Sequence, residues 1–118
     1  MSEIKSYEDL IAWQKAYQFG LAAYDASKGF PDDERFSMTQ QVRRAAVSIA
    51  SNIAEGWGRQ STADYIRFLR IARGSAYELR NQMSFAADLG YCAKDHRVHG
   101  LGKETERLLN ALLKSLER

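Results

Sequence analysis

The segment before the last predicted helix holds the side chains that come closest to a metal or catalytic site. Asp95, His96 and His99 fall close enough together to ligate one ion. Neither histidine lies three residues after a glutamate, the spacing that di-iron four-helix bundles use. Cys92 is near Lys94, whose charge would lower the pKa of the thiol, but the sequence positions no histidine base for it. We therefore expect no metal, no cofactor and no catalytic residue.

Two polar seams border the predicted core stripes of the second and third helices. The first holds Gln41, Ser48, Asn52 and Glu55, and the second holds Ser75, Glu78 and Gln82. If the seams face each other inside the fold, each buried polar group needs a partner, because an unmet one costs about 1 to 3 kcal/mol. We expect a structural network of Asn52, Glu55, Ser75, Glu78 and Gln82. The alternative is a ligand or peptide pocket built on Asn52, Glu55 and Arg59.

Between residues 43 and 80 every basic side chain is an arginine. The guanidinium group is a planar fork that binds phosphate and stacks on bases, which favours contact with RNA over mere solubility. The candidate nucleic-acid-binding residues are Arg43, Arg44, Arg59, Arg67, Arg70 and Arg73. The alternative is that these arginines form salt bridges between subunits, with Glu55, Asp64 or Glu78 as partners.

Helix is the only regular structure that the sequence supports. It has one proline and no Asn-Gly or Asp-Gly hairpin signal. Capping boxes at residues 6–9 and 61–64, together with stop glycines, predict four helices. The first spans about 8–28, the second follows Pro31 and runs to Gly56, the third ends before Gly90, and the fourth begins between about 94 and 103. Residues 1–118 thus form one domain, an antiparallel up-and-down four-helix bundle.

Apolar residues at helical spacing predict the core face of each helix. On the first helix these are Leu10, Trp13, Tyr17, Leu21 and Tyr24, and Gly29 is expected to end it in a left-handed conformation. The other core faces are Met38, Val42, Ala45, Ala46, Ile49 and Ile53 on the second helix, Tyr65, Phe68, Leu69, Ala72, Ala76, Leu79, Met83 and Ala87 on the third, and Leu108, Leu109, Leu112, Leu113 and Leu116 on the fourth.

Two helices carry apolar side chains outside these core faces. Val47, Ala50 and Ala54 share a second side of the second helix. On the third helix, Ile66 and Tyr77 flank two arginines, and tyrosine and arginine are enriched where proteins bury surface against a partner. These five residues are the predicted oligomer interface. The alternative for the alanines is that they only favour helix formation.

Composition narrows the class of protein further. The chain has 118 residues, a single cysteine and a net charge of +2. One cysteine excludes an internal disulfide, and the first residues lack the pattern of a signal peptide. Residues 45–54 are among the longest stretches without a charged side chain, against about 18 residues needed to span a bilayer. We expect a cytoplasmic protein with no membrane partner.

Two runs on the second predicted helix, residues 43–49 (RRAAVSI) and 52–59 (NIAEGWGR), carry a family resemblance. Together with residues 9–10, 12–14, 30–31, 34, 68–69, 72–75, 78–79 and 89–91, they resemble the 23S rRNA-intervening-sequence-encoded proteins, also called S23-type proteins. The resemblance covers nearly the whole chain. It implies a left-handed four-helix bundle that assembles into a ring-shaped homo-oligomer of five subunits. It implies no enzymatic activity, and it suggests contact with RNA or with an RNA-handling protein.

These observations favour a non-enzymatic accessory or binding protein. Its expected partners are further copies of itself, and RNA or an RNA-handling protein. One alternative is a purely structural oligomeric scaffold that recruits another protein. The other is a small-molecule-binding bundle that uses Asn52 and Glu55.

Overall fold

The computed structural model describes residues 3–117, which form four α-helices. They are α1 (Ile11–Ser27), α2 (Met38–Trp57), α3 (Thr62–Asp88) and α4 (Arg97–Leu116), with short 3-10 turns at Tyr7–Asp9 and Asp32–Glu34. No strand occurs in this part of the chain. The four predicted helices are confirmed. The acidic segment after Pro31 forms a 3-10 turn, so α2 begins later than the sequence predicted.

The helix ends match the predicted capping residues in part. Ser6 and Asp9 form a capping box, but it caps the N-terminal end of the 3-10 turn that precedes α1 and not the start of α1 itself. Ser61 caps α3 by accepting a hydrogen bond from the Asp64 amide at 3.1 Å. The predicted left-handed Gly29 is wrong, because in the described chain Gly90 alone has a positive φ, of 81°. Gly29 leaves α1 through a tight right-handed turn in which its amide donates to the Ala26 carbonyl at 3.2 Å.

The helices pack in cyclic order around one core. α1 contacts α2 and α4, and α3 contacts the same two helices from the other side. Because the connection between α2 and α3 spans only residues 58–61, these neighbours run antiparallel. The described chain measures 43 × 27 × 22 Å. It is an up-and-down bundle with two distinct sides, one formed by α1 and α2 and the other by α3 and α4.

Most of the predicted core is buried as expected. All predicted residues of α2 except the half-buried Met38 are buried, and α3 buries most of its predicted face, with Tyr65 and Ala87 half-buried. On α4, Leu109 and Leu113 are buried, while the other three predicted leucines are half-buried against them.

The predicted core face of α1 is confirmed for Leu10 and Trp13, which are half-buried against the core, and is wrong for the other three residues. This helix buries mainly small side chains and one aromatic, namely Ala12, Ala16, Phe19, Ala22, Ala23 and Ala26. Tyr17, Leu21 and Tyr24 are exposed instead. The reason is the close approach of α1 to α2, since a Cβ on Gly20 would lie 2.9 Å from the Ala46 carbonyl oxygen. Only a stripe of small residues fits at this separation, so Tyr17, Leu21 and Tyr24 face outward.

Candidate functional site

The outward-facing apolar residues of α1 and α2 form one continuous surface. We call it the α1–α2 face, and it comprises Tyr17, Leu21, Tyr24, Val47 and Ala50. Leu21 and Val47 are 54% and 53% exposed. A shallow apolar groove of about 160 Å³ runs between the two helices at this point. Two of the five residues, Val47 and Ala50, were predicted as interface residues, and Ala54 lies half-buried one turn further along α2.

The rim of the α1–α2 face is held by aromatic and cationic contacts. The Trp13 ring stacks on the Tyr17 ring with centroids 4.9 Å apart and planes inclined by 23°. The Arg43 guanidinium carbon lies 5.0 Å from the Tyr24 ring centre, and Arg43 Nε donates to Ser27 Oγ at 2.9 Å. These contacts hold the rim side chains in place within the subunit. The sequence analysis assigned Tyr17, Leu21 and Tyr24 to the core, so it did not predict that they form this face.

The other half of the predicted interface lies on the opposite side of the bundle. Ile66 is half-buried against the core, and Tyr77 is exposed beside α4. The amide of Asn110 donates to the Tyr77 hydroxyl at 3.5 Å and accepts from Arg73 at 3.1 Å. The structure therefore does not bring Ile66 and Tyr77 together with Val47, Ala50 and Ala54. It presents two different surfaces on opposite sides of one subunit.

Three of the six candidate arginines form ion pairs within the chain. Arg59 binds Glu55 at 2.9 Å, Arg67 lies 3.5 Å from Asp64, and Arg70 binds Glu117. The guanidinium carbons of Arg59 and Arg67 also lie 4.6 and 4.7 Å from the centre of the Phe68 ring. Such exposed pairs contribute only about 0 to 1 kcal/mol each to the stability of the fold. Their main effect is that a carboxylate offsets the positive charge of each arginine.

The other three candidate arginines form no salt bridge with any described residue. They point in different directions, because Arg43 contacts α1, Arg44 faces α3 and Arg73 contacts α4. One subunit therefore presents no single arginine patch.

A short polar network joins α2 to α3. The hydroxyls of Ser48 and Ser75 lie 2.9 Å apart, and Asn52 Nδ2 donates to the Ser48 carbonyl at 2.8 Å and to its hydroxyl at 3.1 Å. These three residues lie where the two predicted polar seams meet.

Glu55, Glu78 and Gln82 depart from the expected network. The Glu55 side chain is 57% exposed and pairs with Arg59, and Glu78 is exposed on α3. At about 100° per residue both glutamates lie beyond the border of the core stripe, so neither reaches the serines. Gln82 is half-buried, and its side-chain oxygen is buried without a donor from the described chain. An acceptor left in this state costs about 1 to 3 kcal/mol.

Glu78 and Gln82 line a second pocket, between the N-terminal part of α2 and α3. We call it the α2–α3 pocket, and it is lined by Phe36, Gln40, Gln41, Arg44, Glu78 and Gln82 around about 270 Å³. Phe36 is 80% exposed, and the Arg35 guanidinium carbon lies 4.9 Å from its ring centre. Sequence reasoning missed Phe36, because it precedes α2 and belongs to no periodic stripe.

The histidines and the cysteine are engaged in local structure. His96 caps α4 by accepting a hydrogen bond from the Val98 amide at 3.0 Å, and its other ring nitrogen lies 3.0 Å from Asp25. The hydrogen bond from His96 and the charge of Arg97 hold the pKa of Asp25 below its ordinary value. His99 bonds the Ala93 carbonyl at 3.1 Å.

The pKa of the Cys92 thiol shifts in the direction opposite to the one expected from the sequence. Burial and the charge of Asp25 raise its pKa, whereas Lys94 was expected to lower it. Within residues 3–117 no three His, Cys, Asp or Glu side chains are grouped so that they could hold a metal ion. No helix among these residues is both long and apolar enough to cross a bilayer.

The fold and these surfaces define a small four-helix protein with an uncovered apolar face and a separate polar pocket. The chain matches the family model for the 23S rRNA-intervening sequence protein over residues 8–114, and it belongs to this family. The resemblance predicted from the sequence is confirmed.

A solved structure of a related protein agrees with this family assignment. A crystal structure of a protein of unknown function from the S23 ribosomal protein family, from Bacteroides thetaiotaomicron VPI-5482, superposes on this chain with a TM-score of 0.80. The two chains are 25% identical, and the match covers 88% of this chain and 99% of the other. A comparison with curated proteins gives no match.

Proposed function

We propose that this protein is a non-enzymatic binding module that assembles with further copies of itself through the α1–α2 face. The observation that carries the proposal is the outward orientation of Tyr17, Leu21, Tyr24 and Val47. Contiguous apolar surface of this kind on a small protein marks an interaction site, whereas scattered apolar residues do not. The two tyrosines and the adjacent Arg43 are also the residue types that dominate binding energy at interfaces.

The assembly we propose is a ring. A symmetric dimer uses the same patch on both subunits, whereas a head-to-tail contact joins two different patches and closes into a ring when the rotation permits. The α1–α2 face and the surface around Tyr77 lie on opposite sides of the bundle, which supports the head-to-tail arrangement. The family resemblance implies five subunits, and we adopt that number.

Light scattering on the purified protein tests this assembly. We expect a mass several times the 13.4 kDa of one chain. Val47→Glu should shift the mass to that of the monomer without loss of helical circular dichroism, because it places a charge in the proposed contact. Phe85→Glu is the matched control, since Phe85 is similarly exposed, at 56%, on the outer surface of α3. A monomeric wild-type protein would exclude the ring.

We further propose that the assembled ring binds single-stranded RNA. The supporting observation is the cluster of Arg35, Phe36 and Arg44, in which an exposed aromatic ring adjoins two arginines that form no salt bridge with the described residues. Aromatic rings and guanidinium planes are the groups on which unpaired bases stack. Repetition around a ring also raises the net charge from +2 per chain to about +10 for five chains, which attracts a polyanion.

A filter-binding titration at several salt concentrations tests the RNA proposal. Log affinity should fall linearly with log salt, by about 0.7 per phosphate contacted on a single strand. If the purified ring shows no salt-dependent binding at tens of micromolar, the RNA proposal is wrong. The alternative, a structural scaffold that recruits another protein, then takes its place.

A further inference from the structure

We infer that the α2–α3 pocket holds one unpaired guanine base, an inference that rests on the RNA binding proposed above. The pocket differs from the α1–α2 face in its chemistry. Three glutamines, one arginine and one glutamate surround it, and a single aromatic ring stands at its edge. Polar groups that converge on a small concave site are the usual mark of ligand recognition.

The edge of the pocket offers a stacking platform. Phe36 is 80% exposed, so its ring lies open to a planar ligand. The Arg35 guanidinium carbon 4.9 Å from the ring centre holds the side chain through a cation–π contact. Unpaired RNA bases bind proteins by stacking on such rings and by hydrogen bonding along their edges.

The walls of the pocket match the edges of guanine. Arg44 and Glu78 both line the pocket, yet they do not form a salt bridge with each other, so donor and acceptor remain available. Arginine donates to the O6 and N7 acceptors of guanine, its commonest base contact. The carboxylate of Glu78 has only acceptors, which suit the N1–H and N2 amino donors of the same base.

Gln82 supplies a second, independent observation. Its side chain lines the pocket, and its oxygen receives no donor from residues 3–117. Because this oxygen is itself buried, the Gln82 side chain must rotate toward the pocket before the amino group of guanine can donate to it. Adenine presents an amino group to Arg44 and an unprotonated N1 to Glu78, and uracil has a single ring N–H and no amino group. The set of donors and acceptors therefore favours guanine over the other two bases.

The size of the pocket limits the ligand to one base. About 270 Å³ lies just below the roughly 300 to 1,000 Å³ typical of sites for drug-sized ligands. A duplex would bury the Watson–Crick edge that Glu78 is expected to contact. The ligand is therefore a single unpaired base of an RNA strand.

Fluorescence anisotropy with labelled uridine octamers tests the inference. The octamers carry one central guanosine, inosine or adenosine, or remain all-uridine, and the full-length protein is titrated at one fixed salt concentration. We expect the guanosine octamer to bind about tenfold more tightly than the all-uridine octamer. Inosine lacks the 2-amino group but keeps O6, N7 and N1–H, so it should lose only part of this gain, and adenosine should show none.

Variants locate the preference in the pocket. Glu78→Gln and Phe36→Ala should each reduce the ratio of guanosine to uridine affinity to below about twofold. Asp88→Asn is the matched control for Glu78→Gln, because it removes one exposed carboxylate from the same helix outside the pocket, and it should retain the ratio. Both pocket positions are exposed, so circular dichroism should show the wild-type fold.

The outcomes separate the two proposals. If no octamer binds in a salt-dependent way, both the RNA function and the guanine site are wrong. If all four octamers bind with equal affinity, RNA binding stands and the guanine site is wrong. The same conclusion follows if the preference for guanosine survives both Glu78→Gln and Phe36→Ala.

Discussion

Ser48 Oγ and Ser75 Oγ lie 2.9 Å apart and join α2 to α3 by a direct hydrogen bond. Either hydroxyl can donate this bond, because Ser48 Oγ has two lone pairs and still has its proton free when it accepts from Asn52 Nδ2 at 3.1 Å. Three residues thus form one chain of hydrogen bonds across two helices. The chain fixes the register of α2 against α3 at the point where the two predicted polar seams meet.

Asn52→Ala should lower the free energy of unfolding by about 1 kcal/mol, because it removes both hydrogen bonds to Ser48. Urea unfolding followed by circular dichroism measures this change. Glu55→Ala on the same helix is the control and should change the stability by less than about 0.5 kcal/mol, since it removes only an exposed pair. Equal losses for the two variants would show that the network does not stabilise the fold.

Gly102→Ala should destabilise the bundle by about 1 to 3 kcal/mol. A Cβ at this position would lie 2.8 Å from Phe19 Cζ and 2.9 Å from Arg80 Cγ, so the buried Phe19 ring and the half-buried Arg80 side chain must move. Gly100→Ala, two residues earlier in α4, meets nothing within 4 Å and should stabilise the protein by up to about 1 kcal/mol through helix propensity. Thermal unfolding of both variants checks the opposite signs, and a stabilising Gly102→Ala would contradict the packing of α4 on α1.

The pair of Asp25 with His96 should make part of the stability depend on acid pH. The hydrogen bond from His96 and the charge of Arg97 lower the pKa of Asp25 in the folded protein. A lowered pKa means that this contribution is present above the ordinary value of 3.8 and is lost as the pH falls through the folded value below it. Asp25→Asn should therefore melt at a lower temperature than the wild type at pH 7, and the difference should shrink toward pH 3. A constant difference at all pH values would contradict this linkage.

Arg44→Glu should weaken RNA binding more than Arg70→Glu does. Both changes alter the net charge equally, but Arg44 lines the α2–α3 pocket without an ion pair, whereas Arg70 is already paired with Glu117. Filter binding at low salt measures the two affinities, and light scattering confirms that the oligomer mass is unchanged for Arg44→Glu. An equal loss for both variants would mean that net charge alone attracts the RNA.

The local sequence determined the helices and most of the core. A helix cap such as Ser61 and an amphipathic period such as that around Ile49 and Leu79 are set by residues within one or two helical turns. Both can therefore be recognised from the sequence without a structure. The same holds for the family signature on α2 and for the positions of Ser48, Asn52 and Ser75 at the borders of the predicted core stripes. The side chains of the core and of the polar network lie on the predicted core stripes or at their borders.

The orientation of α1 and the partners of the arginines were decided only by the tertiary structure. Both faces of α1 carry apolar residues at helical spacing, so periodicity cannot choose between Tyr17 and Ala16 as the buried side. The close approach at Gly20 and Ala46 makes that choice, because at this separation two helices can bury alanine but not tyrosine. Likewise, Arg70 and Arg73 meet Glu117 and Asn110 about 40 residues further along the chain. Only the packing of α3 against α4 brings these groups together. The packing of α2 against α3 likewise places Arg44 and Phe36 in a pocket that no local pattern indicated.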